Sequence, residues 1–380
     1  MTDTKFKFDC IFFNGEKPCK FKRICHDCPE YKPFGTRILI IKLGAMGDVL
    51  RTTPILSALK AKYKPSHITW VTDPSALALI ENNPLIDRIV PYSQDNIQRF
   101  SVEKFHLLIC LDKETRATVL AENVSSEHKI GFGMNEYGSV RPLNPECEYT
   151  FTLGLSDQLK FFKNKKSYQE IIFEILKIPY RGVEYIISPG NEEKEYALAL
   201  FSNFGLPNKR LNIGISAGAG HVFAKKAWKV EKFIKLIDRI DKELGDYVNI
   251  IILGGTREID INKKITESAR GKVYDSGCNN SLARFIGIVD ECDVVISGDT
   301  LAMHLAIGLR KYPLALFGPT CPQEIDLYGR GKILTSEIPC APCYRGKCDI
   351  EDDCMERLSI DTVYNSLKEI ITPLLQEQQK

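Results

Sequence analysis

Residues 37–54 read RILIIKLGAMGDVLRTTP. A short β-branched run, RILIIKL, breaks at Gly44 and Gly47, and a helical pattern begins at once. That is the signature of a parallel strand feeding a crossover helix. The two glycines permit a tight turn and a close approach of backbone to a ligand. Asp48 then sits just past the carboxyl end of a strand, where open α/β sheets bind ligands. On spacing alone it reads as a helix cap as readily as a base. A dinucleotide fingerprint would need GxGxxG here, and a P-loop GxxxxGK followed by Ser or Thr. Neither is present.

The pattern repeats outward from this segment. HITWVT, DRIVPY, FHLLICL and HKIGFG follow as candidate strands, each with a helical or polar connection after it. Between 153 and 191 the repeat breaks into an aromatic and lysine-rich stretch around SYQEIIFEILKIP, then a linker, ISPGNEE. It restarts with LNIGIS, VNIIILGG, KVYDSG, CDVVISGD and YPLALFGPT. The expected organisation is a cysteine-rich extension (1–36), a Rossmann-like domain holding the acceptor (37–190) and a second one holding the donor (191–335). A cysteine-rich finger (336–358) and a helix packing back across the domains (359–380) complete it. The fold class is α/β, with two doubly wound sheets whose loops can face one cleft.

The 380 residues exceed one ordinary core, and 44% hydrophobic with 26% charged residues is globular composition. A net charge of +2 gives no footprint for a nucleic acid as principal partner. The start MTDTKFKFDC has no apolar run of signal-peptide length, and no segment approaches the roughly 20 apolar residues that cross a bilayer, so the cytoplasm is the expected location.

Two later motifs carry chemistry. LNIGISAGAGHVFAKKAWKVEKF is a strand, a small-residue loop and a Lys-x-Trp element entering a helix. Ser216, the amides of Gly218 to Gly220, and Lys226 can surround a leaving diphosphate. VVISGDTLAMHLAI places Asp299, Thr300 and His304 at a strand end and in the first turn of a helix, whose N-terminus favours phosphate or sugar oxygens. The alternative is that Lys225 or Lys226 is a plain surface lysine and His304 a packed core histidine, with the functional reading put ahead.

Taken in order, ILIIKLGAMGDVLRTTPILSALK, GISAGAG with KAW, IILGG, SGDTLAMHLAIGL, LALFGPT and YG resemble family 9 glycosyltransferases, the ADP-heptose heptosyltransferases of lipopolysaccharide core synthesis. The resemblance runs from 37 to 330 and beyond. It implies a GT-B fold and an inverting transfer of heptose from ADP-heptose to a glycan hydroxyl, with Asp48 as base and Lys226 on the donor phosphates. Asp299, Thr300 and His304 match the late donor motif, and Glu258 falls where relatives place an acidic residue near the ribose. Where the family reads Asp-Thr-Gly this chain has Leu301, which bears on donor fit. A lipid-linked acceptor would bring the enzyme to the inner face of the membrane. No Asp-x-Asp ends a strand, so no catalytic metal is expected.

Eight of the thirteen cysteines fall in two groups, Cys10, Cys19, Cys25 and Cys28, then Cys340, Cys343, Cys348 and Cys354. In a reducing compartment each group reads as a structural site for zinc or iron, an iron–sulfur cluster included. The C-terminal group also resembles the iron-holding finger of a protein-modifying subgroup, which widens the acceptors to protein hydroxyls. Two other classes compete: a nicotinamide-dependent oxidoreductase, which the missing fingerprint opposes, and a metal-knotted module binding RNA or protein.

Overall fold

Strands buried on both faces need near-continuous apolar runs, and the runs quoted from the sequence supply them. In the computed structural model, which describes residues 5–207, 210–219 and 226–378, every one of them contributes a strand. The first sheet comprises β1 (Thr36–Ile41), β2 (Ser66–Thr72), β3 (Arg88–Pro91), β4 (Lys104–Cys110), β5 (Ser125–Met134) and β6 (Val140–Pro142). Its order is β3-β2-β1-β4-β5-β6, parallel except for the β5–β6 pair. Central β1 aligns Ile38 with Ile68 and Leu107, and Ile38 to Ile41 are wholly buried. Each such side chain contributes about 1.5–3 kcal/mol of burial before conformational entropy is counted. Cys110 is a core residue there.

The second sheet comprises β7 (Leu211–Ser216), β8 (Val248–Leu253), β9 (Tyr274–Asp275), β10 (Val294–Gly298), β11 (Tyr312–Phe317) and β12 (Lys332–Thr335). Its order, β12-β11-β10-β7-β8-β9, repeats that of the first sheet read from the other edge. Trp228 packs edge-on to Phe233 with ring centroids 5.0 Å apart, and its indole N–H donates to the Leu358 carbonyl at 3.0 Å. The final helix, Ile360–Gln378, opens on Ser359, whose hydroxyl accepts the Thr362 N–H at 3.0 Å. It buries Val363, Tyr364, Leu367 and Ile371 in the core of this sheet. Strands β6 and β12 leave no clear mark in the sequence. Both are short edge strands with too few alternating positions to register as a pattern.

By compactness the chain forms two units. One contains Met1–Leu43, Ile55–Asp73 and Pro84–Pro145; the other contains Gly44–Pro54, Pro74–Asn83 and Glu146–Lys380. The segment that carries Asp48 therefore packs with the unit of the second sheet. Among the described residues no helix is long and apolar enough to cross a membrane.

Candidate functional site

The site lies in the second unit, where the strand order reverses between β7 and β10. Ser216, at the end of β7, is in register with Ser297 of β10, so the loops leaving these strands are neighbours. Lys226 follows the first loop, and Asp299 directly follows β10. Their charges meet at 3.1 Å. Burial raises the Asp299 carboxyl, but Lys226 and His304 outweigh it and hold the group below its ordinary value. Thr300 stands at the start of the Leu301–Gly308 helix in extended conformation, and its hydroxyl meets that of Ser297 at 2.7 Å rather than capping the helix. The first amides of that helix are thereby left without a side-chain cap. Leu301 is the first helical residue, so the position at which the family has glycine is occupied here by a side chain.

His304 lies on the same helix, 6% exposed, with Nε2 3.9 Å from Asp299. Burial and then the Arg51 charge push its pKa down to about 4, so it is neutral near pH 7. The packing of Gly47 explains why Asp48 is close. A Cβ at Gly47 would lie 2.5 Å from the His304 ring, so only glycine lets the Met46–Thr52 helix approach so near. Asp48 comes with it. Its carboxylate pairs with Arg51 at 2.8 Å, one turn along, and remains 35% exposed.

Arg51 is the residue that motif reading missed. It is buried against the Tyr168 ring, 3.9 Å from the centroid, and also faces Glu324 at 3.7 Å. Burial opposes its charge, but Asp48 and Glu324 prevail and hold the guanidinium above its usual range. Gln169, wholly buried, donates to the Arg51 carbonyl at 2.9 Å, and the Tyr168 and Thr52 hydroxyls meet at 2.9 Å. Arg51 was findable, since an oppositely charged residue three positions on shares a helix face with Asp48. Tyr168, Gln169 and Glu324 gave no such signal.

Several buried polar atoms here lack a partner at hydrogen-bond geometry among the described residues: Arg51 Nε, His304 Nδ1 and the hydroxyls of Tyr185 and Thr320. Gly218 is also placed as a ligand loop, with Glu258 packed against it: a Cβ there would come within 2.4 Å of the Glu258 side chain. Glu258 accepts the Gly255 N–H at 2.9 Å, tying down the turn after β8. Gly44 opens the loop after β1 and belongs to the same unit. Gly220 lies outside the described residues.

All of the cysteines are free thiols. Burial raises the Cys354 thiol to about 11, helped by Asp353 and by the nearby Cys343 and Cys340. The finger is docked on the loop after β11: the Cys343 and Tyr344 amides both donate to the Pro319 carbonyl, at 2.9 and 3.0 Å, and Tyr344 stacks on Phe161 at 5.4 Å. At the other end, the Phe21 backbone N–H holds the half-buried Cys19 thiol below its ordinary value. Among the described residues no three His, Cys, Asp or Glu side chains converge closely enough for one metal ion, so neither cysteine group has single-ion geometry in this structure.

Two doubly wound sheets, with a carboxylate, a lysine and an uncapped helix start beside a strand switch point, have the architecture of the GT-B class. Residues 97–352 match the family model for glycosyltransferase family 9 (heptosyltransferase), and the chain belongs to that family. It is similar to the lipopolysaccharide core heptosyltransferase OpsX of Haemophilus influenzae, 21% identical over 88% of this chain and 96% of that one. A solved family 9 glycosyltransferase from Veillonella parvula superposes with a TM-score of 0.70 at 19% identity, covering 90% of this chain and 97% of that one. The Escherichia coli heptosyltransferase WaaC, solved with ADP-2-deoxy-2-fluoro heptose, gives 0.60 at 16% identity, covering 88% and 99%.

Proposed function

We propose that this enzyme transfers a heptose from ADP-heptose to a hydroxyl of a lipopolysaccharide-type glycan, with inversion at the anomeric carbon. The observation that carries the reading is the junction of Asp48 with the donor-motif residues in one unit, through the contact of Gly47 with His304. A partly exposed carboxylate is suited to take the proton of an acceptor hydroxyl as its oxygen attacks the anomeric carbon. As the bond between that carbon and the diphosphate breaks, negative charge grows on the departing ADP. Lys226 and the uncapped amides after Thr300 are the groups placed to meet it. Arg51 holds the Asp48 carboxylate in position, and neutral His304 supplies a hydrogen-bonding group without adding charge. None of these steps is routed through a metal ion. The names of the relatives, with the family match, support heptose and ADP. A lipid-linked acceptor would place the reaction at the cytoplasmic membrane surface.

The test is a donor panel of ADP-heptose, UDP-sugars and GDP-sugars with heptose-deficient lipopolysaccharide as acceptor, following nucleotide release and sugar transfer. ADP-heptose alone should turn over. The Asp48→Asn variant should bind the donor normally while kcat falls by about 10²–10⁴-fold. Turnover of a UDP- or GDP-sugar would refute the donor, and near wild-type turnover by Asp48→Asn would refute the base.

A further inference from the structure

The N-terminal extension forms a half-open cavity of about 300 Å³, and all four of its cysteines, Cys10, Cys19, Cys25 and Cys28, line it. Its backbone is built to hold them. Cys10 bridges to Pro33 in an antiparallel pair, with the Phe34 N–H donating to Asp9 at 3.0 Å and the Ile11 N–H to Lys32 at 2.9 Å. Cys19 and Cys25 each open a tight turn, closed by the Lys22 N–H on the Cys19 carbonyl at 2.9 Å and the Cys28 N–H on the Cys25 carbonyl at 3.3 Å. Lys22 and Asp27 take left-handed backbone, φ 53° and 51°, to make those turns. The walls are aromatic: Phe12 meets Phe21 edge-on at 5.2 Å, and Phe13 meets Phe8 at 5.4 Å.

We infer that this cavity is the site of a [4Fe–4S] cluster ligated by Cys10, Cys19, Cys25 and Cys28. A zinc ion draws four sulfurs to about 2.3 Å from one point and leaves no room between them. Here the four cysteines line a half-open space worth roughly ten water volumes, larger than a single ion fills. A cubane core fills such a space and takes four thiolates at its corners. Charge agrees with the assignment. Lys7, Lys17, Lys22 and Arg23 line the cavity against Glu30 alone, and a cubane with four thiolate ligands is a dianion. His26 is not needed as a ligand, since its ring is exposed and pairs with Asp27 at 3.1 Å. Each ligating thiol releases its proton as its sulfur–iron bond forms. Iron and sulfide enter in the oxidation states of the finished core, so ligation itself transfers no electron.

The full-length chain carrying Cys343→Ser and Cys348→Ser, which disables the C-terminal finger, is reconstituted anaerobically with ferrous and ferric iron and sulfide, and separately with zinc. It should take up four irons and four acid-labile sulfides per chain, with a broad visible absorption that fades in air. Adding Cys25→Ser and Cys28→Ser should abolish the sulfide and the band. Iron X-ray absorption of the protein with all four N-terminal cysteines intact gives a reading that does not depend on whether the serine variants fold: iron–iron scattering is expected. Retention of labile sulfide after the N-terminal substitutions, iron without an iron–iron vector, or a single zinc that iron and sulfide do not displace would each overturn the assignment.

Discussion

The two sheets share one strand order, and each places a lysine–aspartate pair at its switch point, yet the two pairs differ in how completely they are enclosed. In the first unit Lys42, after β1, meets Asp112, after β4; both are nearly inaccessible, and the second Asp112 oxygen accepts the Leu43 N–H at 2.5 Å. In the second unit Lys226, after β7, meets Asp299, after β10, at 3.1 Å, with both side chains still 15–20% exposed and buried polar atoms without partners nearby. One pair is closed upon itself. The other lies beside an uncapped helix start and keeps some contact with solvent. Location at a switch point therefore does not by itself make a binding site; the two pairs are separated by how fully each is enclosed.

Breaking the pairs should separate the two roles. Lys42→Ala leaves Asp112 buried without its cation, and the first unit should lose about 3–5 kcal/mol, followed by Trp70 fluorescence in a Trp228→Phe background. Lys42→Met with Asp112→Asn removes both charges while keeping an acceptor for Leu43, and should recover most of that loss. If the single variant melts like the parent, the enclosed pair is not a structural element. Lys226→Ala should act the other way, lowering kcat by about 10²–10³-fold, as loss of one group stabilising a developing anion does, while the second unit loses less stability than Lys42→Ala costs the first, because its pair keeps more contact with solvent. Equal effects of Lys42→Ala and Lys226→Ala on turnover would collapse the distinction.

Much of the fold was legible in the sequence because central parallel strands are buried on both faces. Ile38 to Ile41 or Val294 to Ile296 read as uninterrupted apolar runs, and the loop leaving each run offers candidate ligand groups. Asp48, Lys226 and Asp299 were visible for that reason. Arg51 was visible only as the helical neighbour of Asp48. Tyr168, Gln169, Tyr185 and Glu324 come from the irregular stretch and from the loop after β11, and their meeting is a tertiary fact that no local period encodes. Glu258, expected near a ribose, spends one carboxylate oxygen on Gly255 and covers Gly218, a packing role its sequence position does not announce. The cysteine spacing raised the expectation of metal chemistry without saying which kind, and the iron–sulfur proposal rests on the cavity that the four N-terminal cysteines line.

His304 sharpens the comparison through pH. Its folded pKa, about 4, lies below the ordinary 6.5, so the unfolded chain binds a proton that the folded one refuses. The second unit should lose stability as pH falls from about 6.5 toward 4, by up to about 3 kcal/mol, and no further below that on this account. Asp299, held low by Lys226 and His304 against its burial, adds a separate loss only below the ordinary carboxylate range. Replacing His304→Asn should erase the upper window and leave the lower, with Trp228 fluorescence in a Trp70→Phe background as the reporter. A stability curve that is flat between pH 6.5 and 4 in the parent chain would mean that His304 is not buried as described.

The smallest effect expected is also the most local. Gly47→Ala adds one methyl group 2.5 Å from the His304 ring, a distance that real side chains do not tolerate, so the Met46–Thr52 helix must shift away from the Leu301–Gly308 helix. Overpacking of this kind costs about 1–3 kcal/mol. Because the shift carries Asp48 away from the donor-motif residues, kcat should fall by more than the loss of stability alone explains, while the donor, held from the Lys226 side, keeps its affinity. The companion His304→Ala makes room for the added methyl group. If Gly47→Ala costs little stability or turnover in the His304→Ala background, the close approach of these two helices is what sets the position of Asp48; if it costs as much there as in the parent, Gly47 serves the loop conformation instead, and the link between base and donor motif runs through Arg51 alone.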